Sequence, residues 1–105
     1  MTRLHKIQFK IIHNLFEFSR HAVDQTIIRS ISVQEVREAI NNKAKIIEDY
    51  PKDKYGPGCL ILGYTKNQRP LHTQCSYPSC PTLKIITLYE PDPAKWIKFE
   101  KRRNP

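Results

Sequence analysis

Two short stretches of turn-forming residues in the second half of the chain restrict its fold more than any other feature. Lys66-Asn67-Gln68 and Pro78-Ser79-Cys80-Pro81 separate apolar segments that are rich in β-branched and aromatic residues. Connections this short join antiparallel neighbours, because a parallel crossover needs a dozen or more residues. The sequence therefore predicts an antiparallel meander of about four strands, at residues 44–50, 59–65, 69–77 and 82–89.

The first part of the chain shows helical rather than strand periodicity. A first amphipathic helix is predicted from apolar residues at three- and four-residue steps: Leu4, Ile7, Ile11 and Leu15. Ser19 is placed to cap a second, short helix, and Ser32 with Glu35 forms the capping-box pattern of a third. The expected buried face of that third helix consists of Val33, Val36, Ala39 and Ile40.

A last helix is predicted after Asp92-Pro93, which has the pattern of an N-cap followed by proline at the first helical position. Trp96 and Phe99 would share one face of this helix, with Trp96 as a hydrophobic anchor or, alternatively, as a platform for a nucleic-acid base. Four basic residues make its end positive: Lys98, Lys101, Arg102 and Arg103. Helices, a meander and a final helix together predict one α+β domain over residues 1–105.

The net charge favours a polyanionic partner. Eighteen Lys and Arg against ten Asp and Glu give +8 with neutral histidines, which promotes association with phosphates. No apolar segment is long enough to span a bilayer, and the N-terminal residues lack the apolar core of a signal peptide. Three cysteines, an odd number, are typical of free thiols in a reducing compartment. These features predict a cytoplasmic protein without a membrane partner.

Three segments follow one another in a specific order along most of the chain, from about residue 19 to residue 96. They are Phe18-Ser19-Arg20-His21-Ala22 with Arg29 and Ile31-Ser32; Leu62-Gly63-Tyr64-Thr65 with Arg69-Pro70-Leu71-His72; and Ile86-Thr87-Leu88-Tyr89-Glu90-Pro91-Asp92-Pro93 with Trp96. In this combination the chain resembles an uncharacterised bacterial domain family that is grouped by fold with the RelE-like and BrnT-like toxins of toxin–antitoxin pairs.

The resemblance implies a fold and a function. The implied fold is a set of N-terminal helices packed on a small antiparallel sheet. The implied function is a toxin that cleaves mRNA without a metal ion and is held inactive by an antitoxin protein. Other toxins in the same grouping act on DNA gyrase, so a non-catalytic module that binds nucleic acid or protein is the alternative.

RNA cleavage at the 2′-hydroxyl requires a proton acceptor, a proton donor and cations around the developing negative charge. Imidazole and guanidinium groups can supply these roles near neutral pH. At positions within the resembling segments, the chain offers His21 and His72 as proton carriers and Arg29 as a catalytic cation. The residues expected to hold phosphate or RNA are Arg20, Lys54, Arg69, Tyr89, Lys98, Lys101, Arg102 and Arg103.

These candidates also have structural interpretations, which the residue patterns leave open. His21 at a helix start can bind a carbonyl group, and His72 on a half-buried strand can be packed and hydrogen-bonded. Arg20 and Arg29 can instead form an ion pair with Asp24 or Glu48, since exposed pairs are common. Tyr89 can pack in the core rather than donate to a phosphate. Arg69, at a turn, and the basic C-terminal residues can simply be solvated.

Cofactor and metal chemistry has little support in the sequence. No Gly-rich phosphate loop or zinc-protease motif occurs, and the few carboxylates are scattered along the chain, so no cofactor is expected. A weak zinc hypothesis rests on His72, Cys75 and Cys80 around one turn, but a closed structural site needs a fourth ligand. Free thiols, or an approach of Cys75 to Cys80 across the hairpin, are the alternatives, and no metal is expected.

Overall fold

A computed structural model describes residues 1–103 of the chain. The helices are α1 (Arg3–Ile12), α2 (Arg20–Ile28) and α3 (Val33–Asn41). Each begins at a hydroxyl N-cap, Thr2, Ser19 or Ser32, whose side chain accepts a hydrogen bond from the backbone N–H three residues later. Glu35 returns a bond to the Ser32 N–H, which completes the capping box. The predicted starts of the second and third helices are therefore confirmed.

Five strands form one mixed sheet: β1 (Phe16–Phe18), β2 (Lys45–Tyr50), β3 (Gly58–Tyr64), β4 (Pro70–Ser76) and β5 (Leu83–Tyr89). Their spatial order is β1-β5-β4-β3-β2. Strands β2 to β5 form the predicted antiparallel meander, whereas β1 pairs parallel with β5.

The prediction of about four purely antiparallel strands was wrong at the β1 edge. The three residues of β1 are too few to show a strand period in the sequence. This strand exists because β5 is beside it: the Leu83 N–H donates to the Leu15 carbonyl and the Ser19 N–H donates to the Ile85 carbonyl, each at 2.9 Å. Long-range pairing therefore determines the fifth strand.

The core lies between the helices and one face of the sheet. Its buried members on β3, β4 and β5 are Cys59, Ile61, Leu71, Cys75, Leu83, Ile85 and Leu88. Helix α3 approaches β3 closely at Gly63, where a Cβ atom would lie 1.6 Å from the Ala39 carbonyl oxygen. Val33 was predicted to be buried but is 46% exposed, because it begins α3 and the closest approach to the sheet is near Ala39, two turns later.

The described residues end in a small hairpin, and the predicted last helix is wrong. Strands β6 (Trp96–Ile97) and β7 (Lys101–Arg102) pair antiparallel; residues 96–102 are called the C-terminal hairpin below. Helical bonding stops after one turn, in which two backbone N–H groups donate to the Asp92 carbonyl. Lys98 and Phe99 then adopt positive φ angles of 53° and 64°, which reverse the chain direction.

The C-terminal hairpin covers the sheet face that lies opposite the helices. The strand register pairs Leu62 with His72 and His72 with Tyr89, which places all three side chains on that face. The Trp96 indole lies edge-on against the His72 ring, with the ring centroids 4.4 Å apart, and is only 5% exposed. Trp96 is thus a hydrophobic anchor, but it anchors a hairpin rather than a helix.

Candidate functional site

The start of α2 is anchored directly to β5. The Ser19 hydroxyl donates to the Ile86 carbonyl at 2.8 Å and accepts from the Ala22 N–H at 3.0 Å. Arg20 and His21 therefore follow at a fixed position beside β5. The His21 Nε2 atom lies 3.0 Å from the Thr87 hydroxyl, and the side chain is exposed. Within residues 1–103 the other ring nitrogen has no hydrogen-bond partner, so it remains accessible to a ligand.

His21 lines an open cleft of about 260 Å³. The residues that line this cleft, called the His21 cleft, are Ser19, Arg20, His21, Tyr55, Lys84 and Ile86. None of them is acidic, and Arg20 and Lys84 supply two positive charges; the Lys84 ammonium also lies 3.9 Å from a carboxylate oxygen of Glu17, outside the cleft. Tyr55 is 65% exposed, and the Lys54 ammonium lies 5.0 Å from its ring centroid. The cleft thus combines an imidazole, cations and an exposed aromatic ring.

Sequence reasoning missed two members of this cleft, Tyr55 and Lys84. Tyr55 is an aromatic residue in the turn-forming loop at 52–58, directly after Lys54. An aromatic side chain in such an exposed loop was a usable signal. Lys84 alternates with buried neighbours on β5 and carries no local signal of function; its place beside His21 depends on how α2 meets that strand.

His72 lies outside the His21 cleft, buried beneath the C-terminal hairpin. Its Nε2 atom is 2.6 Å from the Phe99 carbonyl; because a carbonyl only accepts, Nε2 carries the proton. Nδ1, 3.2 Å from the Tyr89 hydroxyl, then accepts from that group. Burial lowers the pKa of His72, although the Phe99 carbonyl and Glu48 act in the opposite direction. With both nitrogens engaged and no exposed surface, His72 is placed to hold the hairpin on the sheet.

A second pocket, of about 300 Å³, lies where the C-terminal hairpin meets the end of α2. Its residues, called the Trp96 pocket, are Arg29, Tyr89, Glu90, Asp92, Lys95, Trp96 and Arg102. The Arg29 guanidinium lies 5.9 Å from the Tyr89 ring centroid, and that of Arg102 lies 4.6 Å from the Trp96 ring. The structure thus brings three sequence-predicted residues, Arg29, Tyr89 and Arg102, into one pocket that His21 does not line.

Glu48 holds the hairpin from the side of β2. Arg102 donates to its carboxylate through Nε at 2.8 Å and Nη2 at 3.1 Å, and the Tyr50 hydroxyl donates to the same group. Partial burial disfavours the charged carboxylate, but the bonds from Arg102 and Tyr50 outweigh this effect and lower the pKa of Glu48. Glu48 is therefore an acidic partner of Arg102. Among residues 1–103, neither Arg20 nor Arg29 forms an ion pair with Asp24 or Glu48.

Arg69 is engaged within the fold and is not simply solvated. Its guanidinium donates to Glu90 at 2.6 Å, to Glu35 at 3.2 Å, and to the carbonyls of Ser30 and Arg29 at 3.0 and 3.1 Å. These bonds tie the connection between α2 and α3 to the sheet. Arg69 consequently has little remaining capacity to bind phosphate.

The other basic residues near the C-terminus lie on or beside the hairpin. Arg103 donates to the Pro93 carbonyl at 3.0 Å, while Lys98 and Lys101 are exposed. Since the predicted helix does not form, these side chains do not share a helical face. They remain exposed positive charges on or beside the C-terminal hairpin.

The three cysteines are free thiols. Cys59 and Cys75 are buried and face each other across β3 and β4, while Cys80 is exposed in the following turn. His72 and Cys75 are three positions apart on β4 and therefore lie on opposite faces of the sheet. The residues of the weak zinc hypothesis are thus not brought together. In the part of the chain from 1 to 103, no group of three or more His, Cys, Asp or Glu side chains could hold a metal ion.

Among residues 1–103, no helix has both the length and the apolar character needed to cross a lipid bilayer.

The similarity of this chain to a known protein family lies in the part that builds the sheet and the His21 cleft. No curated protein and no solved structure matches the chain. A family model matches residues 18–90, which run from the end of β1 through β5 and exclude the C-terminal hairpin. The chain belongs to the family described as Domain of unknown function (DUF4258).

Proposed function

We propose that this protein is the toxin of a toxin–antitoxin pair and that it cleaves RNA in the His21 cleft without a metal ion. One observation carries the proposal: an exposed imidazole, His21, shares an open cleft with the cations of Arg20 and Lys84 and with the ring of Tyr55. The three chain segments resemble an uncharacterised bacterial domain family that is grouped by fold with RelE-like and BrnT-like toxins, and this grouping supports the toxin class.

The residues of the cleft match the needs of cleavage by the RNA's own 2′-hydroxyl. The His21 imidazole accepts the proton of that hydroxyl, and the 2′-oxygen attacks the adjacent phosphorus. The bond from phosphorus to the 5′-oxygen breaks, and the departing oxygen takes a proton from water. The hydroxide ion that this leaves takes the proton from His21, which restores the imidazole. Arg20 and Lys84 stabilise the negative charge that develops on the phosphate. The products are a 2′,3′-cyclic phosphate and a 5′-hydroxyl.

Tyr55 supports an unpaired RNA base next to the reacting phosphate. Its ring is exposed, and the Lys54 ammonium beside it adds positive charge. Aromatic side chains flanked by cations bind single-stranded nucleic acid by stacking, with little sequence preference. His72 has no role in this chemistry, because it is buried under the hairpin with both ring nitrogens bonded.

A non-catalytic binding module of the same fold, such as a gyrase inhibitor or an RNA-binding protein, is the second candidate. One observation favours it: the His21 cleft contains one imidazole, since His72 lies elsewhere. In this alternative the basic cleft binds its partner and His21 transfers no proton.

Incubation of purified protein with single-stranded RNA in EDTA tests the proposal. We expect cleavage that leaves a cyclic phosphate, and no cleavage of the same RNA with 2′-deoxyribose at the cut position. His21→Ala should lower the rate by about 100-fold or more, the usual contribution of a general base. His5→Ala, which removes an exposed histidine on α1 outside the cleft, is the matched control.

The outcomes separate the candidates. RNA binding without cleavage by the wild-type protein would support the binding module, and equal cleavage by wild type and His21→Ala would remove the catalytic role of His21.

Expression in cells tests the toxin class. Wild type should arrest growth and His21→Ala should not. Coexpression of an antitoxin from a neighbouring short reading frame should restore growth.

A further inference from the structure

We propose that the Trp96 pocket binds a second phosphate of the same RNA, so that one single strand runs from the His21 cleft along α2 to the C-terminal hairpin. This inference rests on the proposed action on RNA. It adds a second contact site, made by Arg29, Lys95 and Arg102, and it names single-stranded rather than duplex RNA as the ligand.

Three cations from separate parts of the chain have unused donors in this pocket. Arg29 donates its Nε to Gln25, and its two terminal nitrogens have no partner among residues 1–103. The Lys95 ammonium likewise has none within that range. Arg102 uses Nε and Nη2 on Glu48 and also contacts the Tyr50 hydroxyl; its Nη1 has no carboxylate partner among residues 1–103. A phosphate group has several acceptor oxygens and can take bonds from such donors together.

The two carboxylates of the pocket do not cancel this positive charge. Glu90 is already paired with the Arg69 guanidinium at 2.6 Å. Asp92 accepts a bond from the Ala94 N–H at 2.8 Å. Arg102 is paired with Glu48, and Arg69 is shared between Glu90 and Glu35, so the cations of the pocket without a carboxylate partner among residues 1–103 are Arg29 and Lys95. These two unpaired charges make an anion the favoured ligand.

The distance between the two sites suits a short stretch of RNA. Arg20 begins α2 and Arg29 follows its last residue, so they are separated by about 13 Å along the helix at 1.5 Å per residue. On β5, Thr87 contacts His21 and Tyr89 lies near Arg29. Thr87 and Tyr89 are two residues apart on the strand, which is a separation of about 7 Å. These lengths correspond to about two to four stacked nucleotides at 3.4 Å each.

An unpaired strand fits this path better than a duplex. The exposed Tyr55 ring at one end can stack only on a base that is free of its partner strand. Each pocket, at about 260 and 300 Å³, is a separate recess rather than a broad basic surface of the kind that contacts duplex phosphates.

Trp96 provides a direct readout, because it is the only tryptophan of the chain and lines the pocket. Its fluorescence is measured while the protein is titrated with a non-cleavable 2′-O-methyl octanucleotide, the matching duplex, a dinucleotide and inorganic phosphate. We expect the octanucleotide to change the fluorescence and to bind more tightly than the dinucleotide or the duplex, since only a longer single strand reaches both sites.

Variants assign the contact. Arg29→Ala and Lys95→Ala should each weaken octanucleotide binding by about tenfold, as expected for one lost charge-assisted bond. Each should also lower the slope of log affinity against log salt by about 0.7. Lys6→Ala, which removes an exposed charge on α1, is the control and should leave both quantities nearly unchanged. The fluorescence of Trp96 is also measured for each variant without RNA. A variant whose Trp96 fluorescence then equals that of wild type still has its C-terminal hairpin docked on the sheet.

Failure of this inference is distinguishable from failure of the proposed function. If Arg20→Ala and Lys84→Ala weaken octanucleotide binding while Lys95→Ala does not and Trp96 gives no signal, the second site is wrong and the function stands. If the octanucleotide does not bind, both are wrong. If inorganic phosphate changes the Trp96 signal and RNA does not compete with it, the pocket serves a small phosphate compound, and the proposed RNA path is wrong.

Discussion

Substitution of Gly63 by alanine tests how α3 is seated on the sheet. An ideal Cβ atom at this position would lie 1.6 Å from the Ala39 carbonyl oxygen and 2.6 Å from its carbonyl carbon. Ordinary contact begins at 3.4 Å, so the Ala39 backbone must withdraw by about 1.8 Å. Because the atoms in the way belong to the helix backbone, no side-chain rotation can relieve the overlap.

The withdrawal loosens the buried face of α3, which consists of Val36, Ala39 and Ile40. Overpacking of a core costs about 1–3 kcal/mol, and we expect about 3 kcal/mol here because a helix must move. Domains of this kind are stable by about 5–15 kcal/mol. Gly63→Ala should therefore remove between about a fifth and three fifths of the free energy of unfolding.

Urea unfolding, followed by far-ultraviolet circular dichroism and by Trp96 fluorescence, measures this loss. Gly56→Ala is the matched control, since Gly56 has a φ of +90° but no atom within 4 Å of an added Cβ. That variant should lose only the conformational cost of about 1–2 kcal/mol. If Gly63→Ala loses no more than Gly56→Ala, the close approach of α3 to β3 does not limit packing and the reasoning is refuted.

Three further predictions concern a histidine, the thiols and a helix cap. Burial lowers the pKa of His72, so the unfolded chain binds a proton before the folded protein does as the pH falls below about 6.5. The free energy of unfolding should therefore decrease by up to about 1.4 kcal/mol per pH unit until the pKa of His72 in the folded protein is reached. Urea unfolding of wild type and His72→Phe across this pH range checks the prediction. If the free energy of unfolding depends on pH equally steeply in the variant, His72 is not the cause and the prediction is wrong. Thiol reagents should modify Cys80 rapidly and the two buried cysteines only on unfolding, so native Cys80→Ser should be unreactive. Ser19→Ala should cost about 1–2 kcal/mol in urea unfolding and reduce RNA cleavage more than Thr2→Ala, which removes a cap remote from the His21 cleft.

The helices and the meander could be predicted because their signals are local. The Ser19 and Ser32 caps satisfy backbone groups within three residues, so the bonding pattern can be identified in the sequence itself. The short turns between β3, β4 and β5 likewise restrict the chain to antiparallel pairing. In contrast, β1 has no local signal, because its bonds come from a strand nearly 70 residues later, as in the Leu83 bond to Leu15, 68 positions apart.

The candidate site was predictable only in part. His21 and Arg20 could be nominated because they lie in the resembling segment from Phe18 to Ala22, and His72 could be assigned to a strand, which is confirmed. Alternation states which face a side chain occupies but not what covers that face. A hairpin in place of the expected helix covers His72, and this separates it from His21.

The sequence by itself determined the three N-terminal helices, the antiparallel order of β2 to β5 and the positive charge of the chain, since periodicity, capping and turn residues act over a few positions. Only the tertiary structure decided which candidates share a pocket. Tyr55 and Lys84 join His21, and Lys95 joins Arg29, through contacts between segments far apart in the chain. Such contacts depend on the packing of whole elements, which no local pattern encodes.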